Sequence, residues 1–307
     1  MKEDVKMSLF LIILPVILVF LTGFIGQKAL HFDIKNISTL TLYVMSPVLA
    51  FRTFYTTPLT PDYMYIILFA VLLCFMLFIV TWLTTKLIHA DRSESSAMML
   101  GAVFMNSGNY GAPVALFAFG QEGFHIAVII MVLHSLLMNT LGIFFASMGS
   151  DDKPSLKTSL SKVYTMPVLW GAVIGLAMQL IHIPLHESIL NGVDLIADAS
   201  IPVVMLILGM QLAVISRKKV NYTAMATTTS IRMIISPLLA AAILFFMPLP
   251  TIVKSVLILQ AAMPAAANTT MLALQFNTKP DLVSFTTFIT TAISIFSIPI
   301  VLFFLGV

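Results

Sequence analysis

Apolar residues come in long runs from one end of the chain to the other, separated by short polar turns. A membrane-spanning helix needs about 20 mostly apolar residues. On that rule the chain divides into about ten spans, roughly 8–27, 37–56, 63–88, 96–119, 124–147, 166–183, 198–216, 222–246, 252–276 and 282–306. The sixth is short, with room to extend backwards into the preceding loop. The fourth and ninth differ from the rest. Each carries a polar, helix-breaking cluster in its interior: Asn106-Ser107-Gly108-Asn109-Tyr110-Gly111-Ala112-Pro113 in one, Gln260-Ala261-Ala262-Met263-Pro264-Ala265-Ala266-Ala267-Asn268 in the other. A break inside a bilayer is costly, because every freed backbone group needs a new partner. Paired breaks at corresponding places in two halves of a membrane protein point to a transporter's substrate site.

The halves echo each other. Pro15-Val16 matches Pro167-Val168, and at the same offset Gly23 meets Gly175 and Gln27 meets Gln179. Pro47 corresponds approximately to Pro202, and Pro113 to Pro264. The longest polar connection, Gly149 to Lys162, falls near the middle and holds Asp151, Asp152, Lys153, Pro154 and Lys157. The expected organisation is a first five-helix repeat over 1–148, a cytoplasmic linker over 149–165, and a second repeat over 166–307. Five is odd, so the second copy enters the membrane upside down. The predicted fold class is an all-α integral membrane protein of two inverted five-helix repeats.

Composition agrees: 59% of residues are hydrophobic and 9% charged, with a mean hydropathy of +1.03. Soluble proteins carry roughly 25% charged residues. The first apolar run follows Met1–Lys6 without a small-residue cleavage site, so it reads as a span and not as a signal peptide. The net charge of +3 matters less than where the basic residues lie. With the N-terminus outside, the inner loops hold Lys28, Lys35, Lys86, Arg92, Lys153, Lys157, Lys162, Arg217, Lys218, Lys219 and Lys279. The outer side holds Lys2, Lys6 and Lys254, with Arg52 near an outer helix end. Excess Lys and Arg on the cytoplasmic side then places both termini outside a cytoplasmic membrane. No basic tract suits nucleic acid. Cys74 is the single cysteine, which excludes an intrachain disulfide and a thiolate metal site. There is no His-Glu zinc motif, no opposed aspartate pair and no serine with an obvious base, so neither an enzyme nor a cofactor is expected. The loops are too short for a separate signalling domain.

The candidate chemistry sits at the two breaks. Proline removes a backbone donor and clashes with the preceding turn, and Gly108 and Gly111 let the backbone open. An opened helix offers N–H groups and a partial positive charge at the start of its second half, which suits a carboxylate. Asn106, Asn109 and Asn268 add side-chain donors and acceptors. The candidate substrate residues are Asn106, Asn109, Tyr110, Gly111, Pro113, Gln260, Pro264 and Asn268. The competing explanation is a pair of proline kinks with small residues for close packing, and for the alanines around Pro264 packing is preferred. Asp198, at the start of the predicted seventh span, is either a carrier of a proton or arginine partner or a helix N-cap; Asp194 reads as a loop residue. Arg52 either balances an anion or snorkels outward. Arg232 lies mid-span, where an internal partner, structural or functional, is expected. His134 is a packing residue or a coupling group, and Asn139, Thr290, Thr291 and Ser294 are expected to make interhelix hydrogen bonds.

At these motifs the chain resembles the auxin efflux carrier family, which includes plant PIN carriers and bacterial malate or malonate permeases. Asn106, Gly111 and Pro113 resemble its asparagine–glycine–proline signature, and Gln260 to Pro264 resembles its ninth-helix signature, with methionine where PIN carriers usually have leucine. Asp198-Ala199 with Leu208-Gly209, and Pro47 to Phe51, are similar to its patterns in helices seven and two. The resemblance covers nearly the whole chain. It implies that helices four and nine cross at their prolines, that a mobile transport domain moves against a scaffold, and that a small organic anion binds near the crossing. The chain lacks the long central loop of plant PIN carriers, so malate or malonate is a better expectation than auxin. Uniport or exchange needs the fewest assumptions, since neither break contains Asp or Glu. The alternative is a sodium- or proton-coupled symporter related to bile-acid symporters. A homodimer is compatible with the resemblance, though no interface is legible in the sequence.

Overall fold

The computed structural model describes residues 2–58, 60–150, 166–214 and 220–307, with side chains from Leu11 onward. Most of the expected linker, with Lys153, Lys157 and Lys162, lies outside the described residues, as do Arg217, Lys218 and Lys219. The described chain is all-helical, and its one β-bridge joins Met105 to Ala265. The helices are α1 (Lys2–Leu30), α2 (Ile34–Thr56), α3 (Asp62–Leu87), α4 (Arg92–Val103), α5 (Ser107–Met148), α6 (Pro167–Leu180), α7 (Glu187–Val214), α8 (Tyr222–Phe245), α9 (Thr251–Ala261), α10 (Thr269–Gln275) and α11 (Pro280–Leu305).

Among the described residues, seven of these helices, α1, α2, α3, α5, α7, α8 and α11, are long and apolar enough to cross a membrane. Helices α6 and α9 are apolar but shorter. The 42-residue α5 is too long for one crossing of a hydrocarbon core about 30 Å thick. It folds at Gly120, whose φ of 65° and ψ of −159° lie outside the helical region. A left-handed φ of this kind favours glycine. The predicted fourth and fifth spans therefore meet at one residue instead of a loop.

Proline shapes three helices in the same way. Five-residue π turns at Thr41–Met45, Ser107–Gly111 and Ile231–Ile235 each end two residues before a proline, Pro47, Pro113 and Pro237. A proline ring clashes with the carbonyl four residues back and supplies no N–H. A widened turn just before it accommodates both facts. A fourth π turn, Met138–Gly142, has no proline after it.

Two groups of helices result. In the first, α1 packs along α7 and α2 along α6, and α2 also meets α7. These contacts are close because glycine faces backbone: a Cβ on Gly171 would stand 2.1 Å from the Pro47 carbonyl oxygen, and one on Gly209 would stand 2.0 Å from that of Phe20. The second group holds α3, α4, α5, α8, α9, α10 and α11. Its core includes Met98, Leu100, Phe104, Phe124, Ile130 and Leu257.

The sequence places the start of the seventh span too late. Helix α7 begins at Glu187, so Asp198 lies eleven residues inside it and is not an N-cap, and Asp194 is helical and not in a loop. The apolar-run rule stopped short because Glu187, Asn191 and Asp194 interrupt the first turns.

Candidate functional site

Helix α4 stops at Val103 and α9 stops at Ala261. The chain beyond each stop is extended, and the two extended segments run antiparallel against one another. The Asn106 N–H donates to the Pro264 carbonyl at 2.8 Å, and the Ala266 N–H donates to the Phe104 carbonyl at 2.9 Å. The breaks thus meet the demand for backbone partners by pairing with each other. A third bond comes from α11, where Thr290 Oγ1 accepts from the Ala265 N–H at 3.2 Å.

The two stops leave carbonyls at helix C-termini, and Arg232 of α8 takes them. It is fully buried. Its Nη1 donates to the carbonyls of Ala102 at 3.0 Å and Val103 at 3.2 Å, and its Nη2 donates to the Ala261 carbonyl at 2.6 Å and to Ser236 Oγ. The Ser236 hydroxyl in turn donates to the Ala261 carbonyl at 2.8 Å. The internal partners of Arg232 are therefore backbone oxygens, and its guanidinium does not reach the cavity described next.

On the other side of the crossing, where α5 and α10 begin, lies a cavity of about 70 Å³. It has room for a few water molecules and is smaller than the 300–1,000 Å³ usual for ligand pockets. The breaks contribute Asn106, Ser107, Gly108, Asn109, Ala267 and Asn268; α5 contributes Met131, His134 and Ser135; α2 contributes Leu42 and Ser46; α6 contributes Val168. The cavity thus sits between the two helix groups. At the start of α5 the Ser107 N–H donates to the Met105 carbonyl and the Gly111 N–H to the Asn106 carbonyl, both at 2.9 Å, and Gly108 and Asn109 between them line the cavity. Asn106 and His134 are nearly buried, and neither Asn106 Nδ2 nor His134 Nδ1 has a hydrogen-bond partner. Phe104 presents its ring to the His134 imidazole, centroids 6.1 Å apart.

The candidate residues divide by position. Asn106, Asn109, Asn268 and His134 line the cavity. Tyr110 does not: it is fully buried, its ring packs edge-on against Phe20 at 5.0 Å, and its hydroxyl accepts from Ser294 Oγ at 3.0 Å. Gly111 lies against Gln260, where a Cβ would meet Gln260 Oε1 at 2.1 Å; both sit behind the cavity. Pro113 shapes the first turn of α5, and Pro264 supplies the carbonyl of the crossing. Arg52 and Asp198 stand apart. Arg52 Nη1 pairs with Asp198 Oδ1 at 2.6 Å and Asp194 Oδ1 at 3.4 Å, so the arginine is engaged and not a free snorkelling chain. Asn139 and Thr291 bond to carbonyls of their own helices. Ser46, Ser107 and Ser135 add hydroxyls that the sequence reading did not select. Ser107 stood within the first break, while Ser46 and Ser135 lie in apolar runs and reach the cavity only through tertiary packing.

A larger hollow of about 460 Å³ lies between α2, α6 and α7, lined by Pro47, Val48, Phe51, Trp170 and Ile174 among others. Its lining is almost wholly apolar.

This arrangement is that of a multi-pass membrane protein with two broken segments paired inside it. The profile of the family described as membrane transport protein matches residues 8–302, and the chain belongs to this family, the auxin efflux carriers of the motif resemblance. An uncharacterized transporter of Methanothermobacter thermautotrophicus is 27% identical over 303 residues, covering 97% of this chain and 96% of the relative. An uncharacterized transporter of Methanocaldococcus jannaschii is 25% identical over 302 residues, covering 92% and 94%.

Proposed function

We propose that this transporter carries a small organic anion, a mono- or dicarboxylate such as malate or malonate, across the cytoplasmic membrane by uniport or exchange. The observation that carries this reading is the cavity at the paired breaks, lined by Asn106, whose Nδ2 is unpartnered, and by the Gly108 backbone at the start of α5. These donors, with Asn109 and Asn268, would bind a carboxylate.

The two helix groups would be the moving parts of an elevator-type cycle. The group of α1, α2, α6 and α7 would serve as scaffold, and the second group, held together at the crossing, would carry the anion past it. Two inverted five-helix repeats, over 1–148 and 166–307, underlie this reading. Gly23 approaches the Leu206 carbonyl and Gly175 the Phe51 carbonyl, with a Cβ at 2.2 and 2.4 Å respectively. The register that relates Gly23 to Gly175 relates the first repeat to the second, and the one that relates Pro47 to Pro202 also relates Phe51 to Leu206. His31 and His182 end the corresponding helices α1 and α6 in the left-handed conformation.

Loop contacts support the expected grouping of the loops on two faces. Lys279 pairs with Asp91 at 3.3 Å, and Arg92 donates to the Met148 carbonyl at 3.1 Å, which gathers on one face loops assigned to the cytoplasm. At the other face Gln179 Nε2 donates to the carbonyls of Tyr55 at 3.2 Å and Thr57 at 2.7 Å.

The test is reconstitution in liposomes with labelled malate, malonate, lactate and indole-acetate, with and without sodium or pH gradients. Saturable flux of a carboxylate that ignores both gradients supports the proposal. Flux that requires sodium or protons would favour the symporter reading, and no flux of any of the four would remove this substrate class. A reporter at the C-terminus, expected outside, tests the ten-span topology.

A further inference from the structure

We propose that the guanidinium of Arg232 is a built-in monovalent cation for the helix crossing, standing where a free cation would otherwise bind between the C-terminal ends of α4 and α9. Four oxygens from three helices converge on it: the carbonyls of Ala102, Val103 and Ala261, and Ser236 Oγ. The π turn Ile231–Ile235 holds Arg232 in α8, and Ser236 follows directly. Each helix C-terminus carries roughly half a negative charge. Two of them facing one point sum to about one, which a single positive charge balances. Helices α4 and α9 have 12 and 11 residues, long enough to develop that dipole.

In transporters with broken helices, half-helix C-termini and freed carbonyls are where sodium ions or protons bind. Here that set of oxygens is taken by a side chain that cannot leave. Among the described residues no carboxylate stands within salt-bridge distance of Arg232. Its counter-charge is the two helix ends. The crossing then needs no cation from solution at this place, and shortening the side chain should open a site that one can enter. The inference bears on coupling in the proposed carrier, but it rests on this geometry alone and holds whatever the substrate is.

The test reads thermal unfolding of purified protein in detergent, so that its failure and a failure of the transport proposal are distinguishable. Cys74, the single cysteine and 2% exposed, reports unfolding through its reaction with a thiol-reactive fluorophore. Wild type, Arg232→Ala, Arg232→Lys and Arg232→Gln are compared in choline, sodium and guanidinium chloride at constant ionic strength. Arg232→Ala should unfold about 10 °C below wild type. Low guanidinium should return a saturable part of that loss in the alanine variant, while wild type shows no saturable gain from sodium or guanidinium. If the alanine variant does not fold, charge is tested by the other pair: lysine should be more stable than glutamine, and glutamine should gain from guanidinium. Saturable stabilisation of wild type by sodium would overturn the proposal. So would guanidinium that lowers every variant alike, or a glutamine variant as stable as lysine.

Discussion

Gly175 faces the carbonyl of Phe51 so closely that a Cβ would stand 2.4 Å from the oxygen. No side chain yields there, because the neighbour is backbone. Gly175→Ala must push α6 away from α2, at a cost of about 1–3 kcal/mol. Gly23→Ala, against the Leu206 carbonyl, should cost about the same if the halves are repeats. Gly192→Ala is the control. It sits in α7 with nothing within 4 Å of an added Cβ. It should be neutral or gain up to about 1 kcal/mol. Unfolding temperatures of the three variants check this, and equal losses at all three positions would contradict it.

Asn106 separates scaffold from binding. Its backbone N–H makes the crossing bond to Pro264, while its side-chain Nδ2 is buried without a partner. Removing an unpaired buried donor relieves a desolvation cost of about 1–3 kcal/mol. Asn106→Ala should therefore keep or raise the unfolding temperature while transport falls at least tenfold. A variant that transports like wild type would take Asn106 out of the site. Asn109→Ala should likewise lose transport, measured as flux and apparent affinity.

The Arg52–Asp198 pair is tested by a double-mutant cycle. Asp198 is 68% exposed and Arg52 12%, so desolvation is uneven. Arg52→Ala should harm stability more than Asp198→Ala, since Asp194 at 3.4 Å remains as a second partner for the arginine. A coupling energy of zero between the two would mean that the pair is incidental.

Acid should loosen the face that carries Asp91. Its side chain accepts from the Glu94 N–H at 2.7 Å as the N-cap of α4, and it pairs with Lys279. The Glu94 N–H first, and Lys279 after it, hold its carboxyl below the usual carboxylate range. A depressed folded pKa contributes stability above the unfolded value of about 4 and loses it as pH falls through the folded one. The unfolding temperature of wild type should drop faster between pH 5 and 3 than that of Asp91→Asn. The asparagine keeps the cap and lacks the titration. Parallel curves would rule this contribution out.

Much of this architecture was legible from the chain. The breaks stand out because glycine, asparagine and proline interrupt apolar runs, and Arg232 stands out because a mid-span charge demands a partner. The nature of that partner was hidden, since backbone carbonyls have no letter in a sequence. The start of α7 was missed for a related reason: helical hydrogen bonding continues through Glu187, Asn191 and Asp194, whereas an apolar-run rule ends where polarity begins. Ser46 and Ser135 were invisible as lining residues because only the packing of α2 and α5 turns them toward the breaks. Tyr110 and Gln260 showed the reverse, polar letters in the right motifs whose side chains lie behind the cavity.

The bonds between Asn106 and Pro264 and between Phe104 and Ala266 also set an order of events during synthesis. When the ribosome has finished the first break, the second is still half a chain away. Until then the Asn106 N–H and the Phe104 carbonyl must find water, lipid headgroups or an unbroken helix to hold them. The fourth segment therefore enters the membrane in some other form and takes its final shape only after the ninth arrives, so a nascent chain stalled before Pro264 carries an unfinished break.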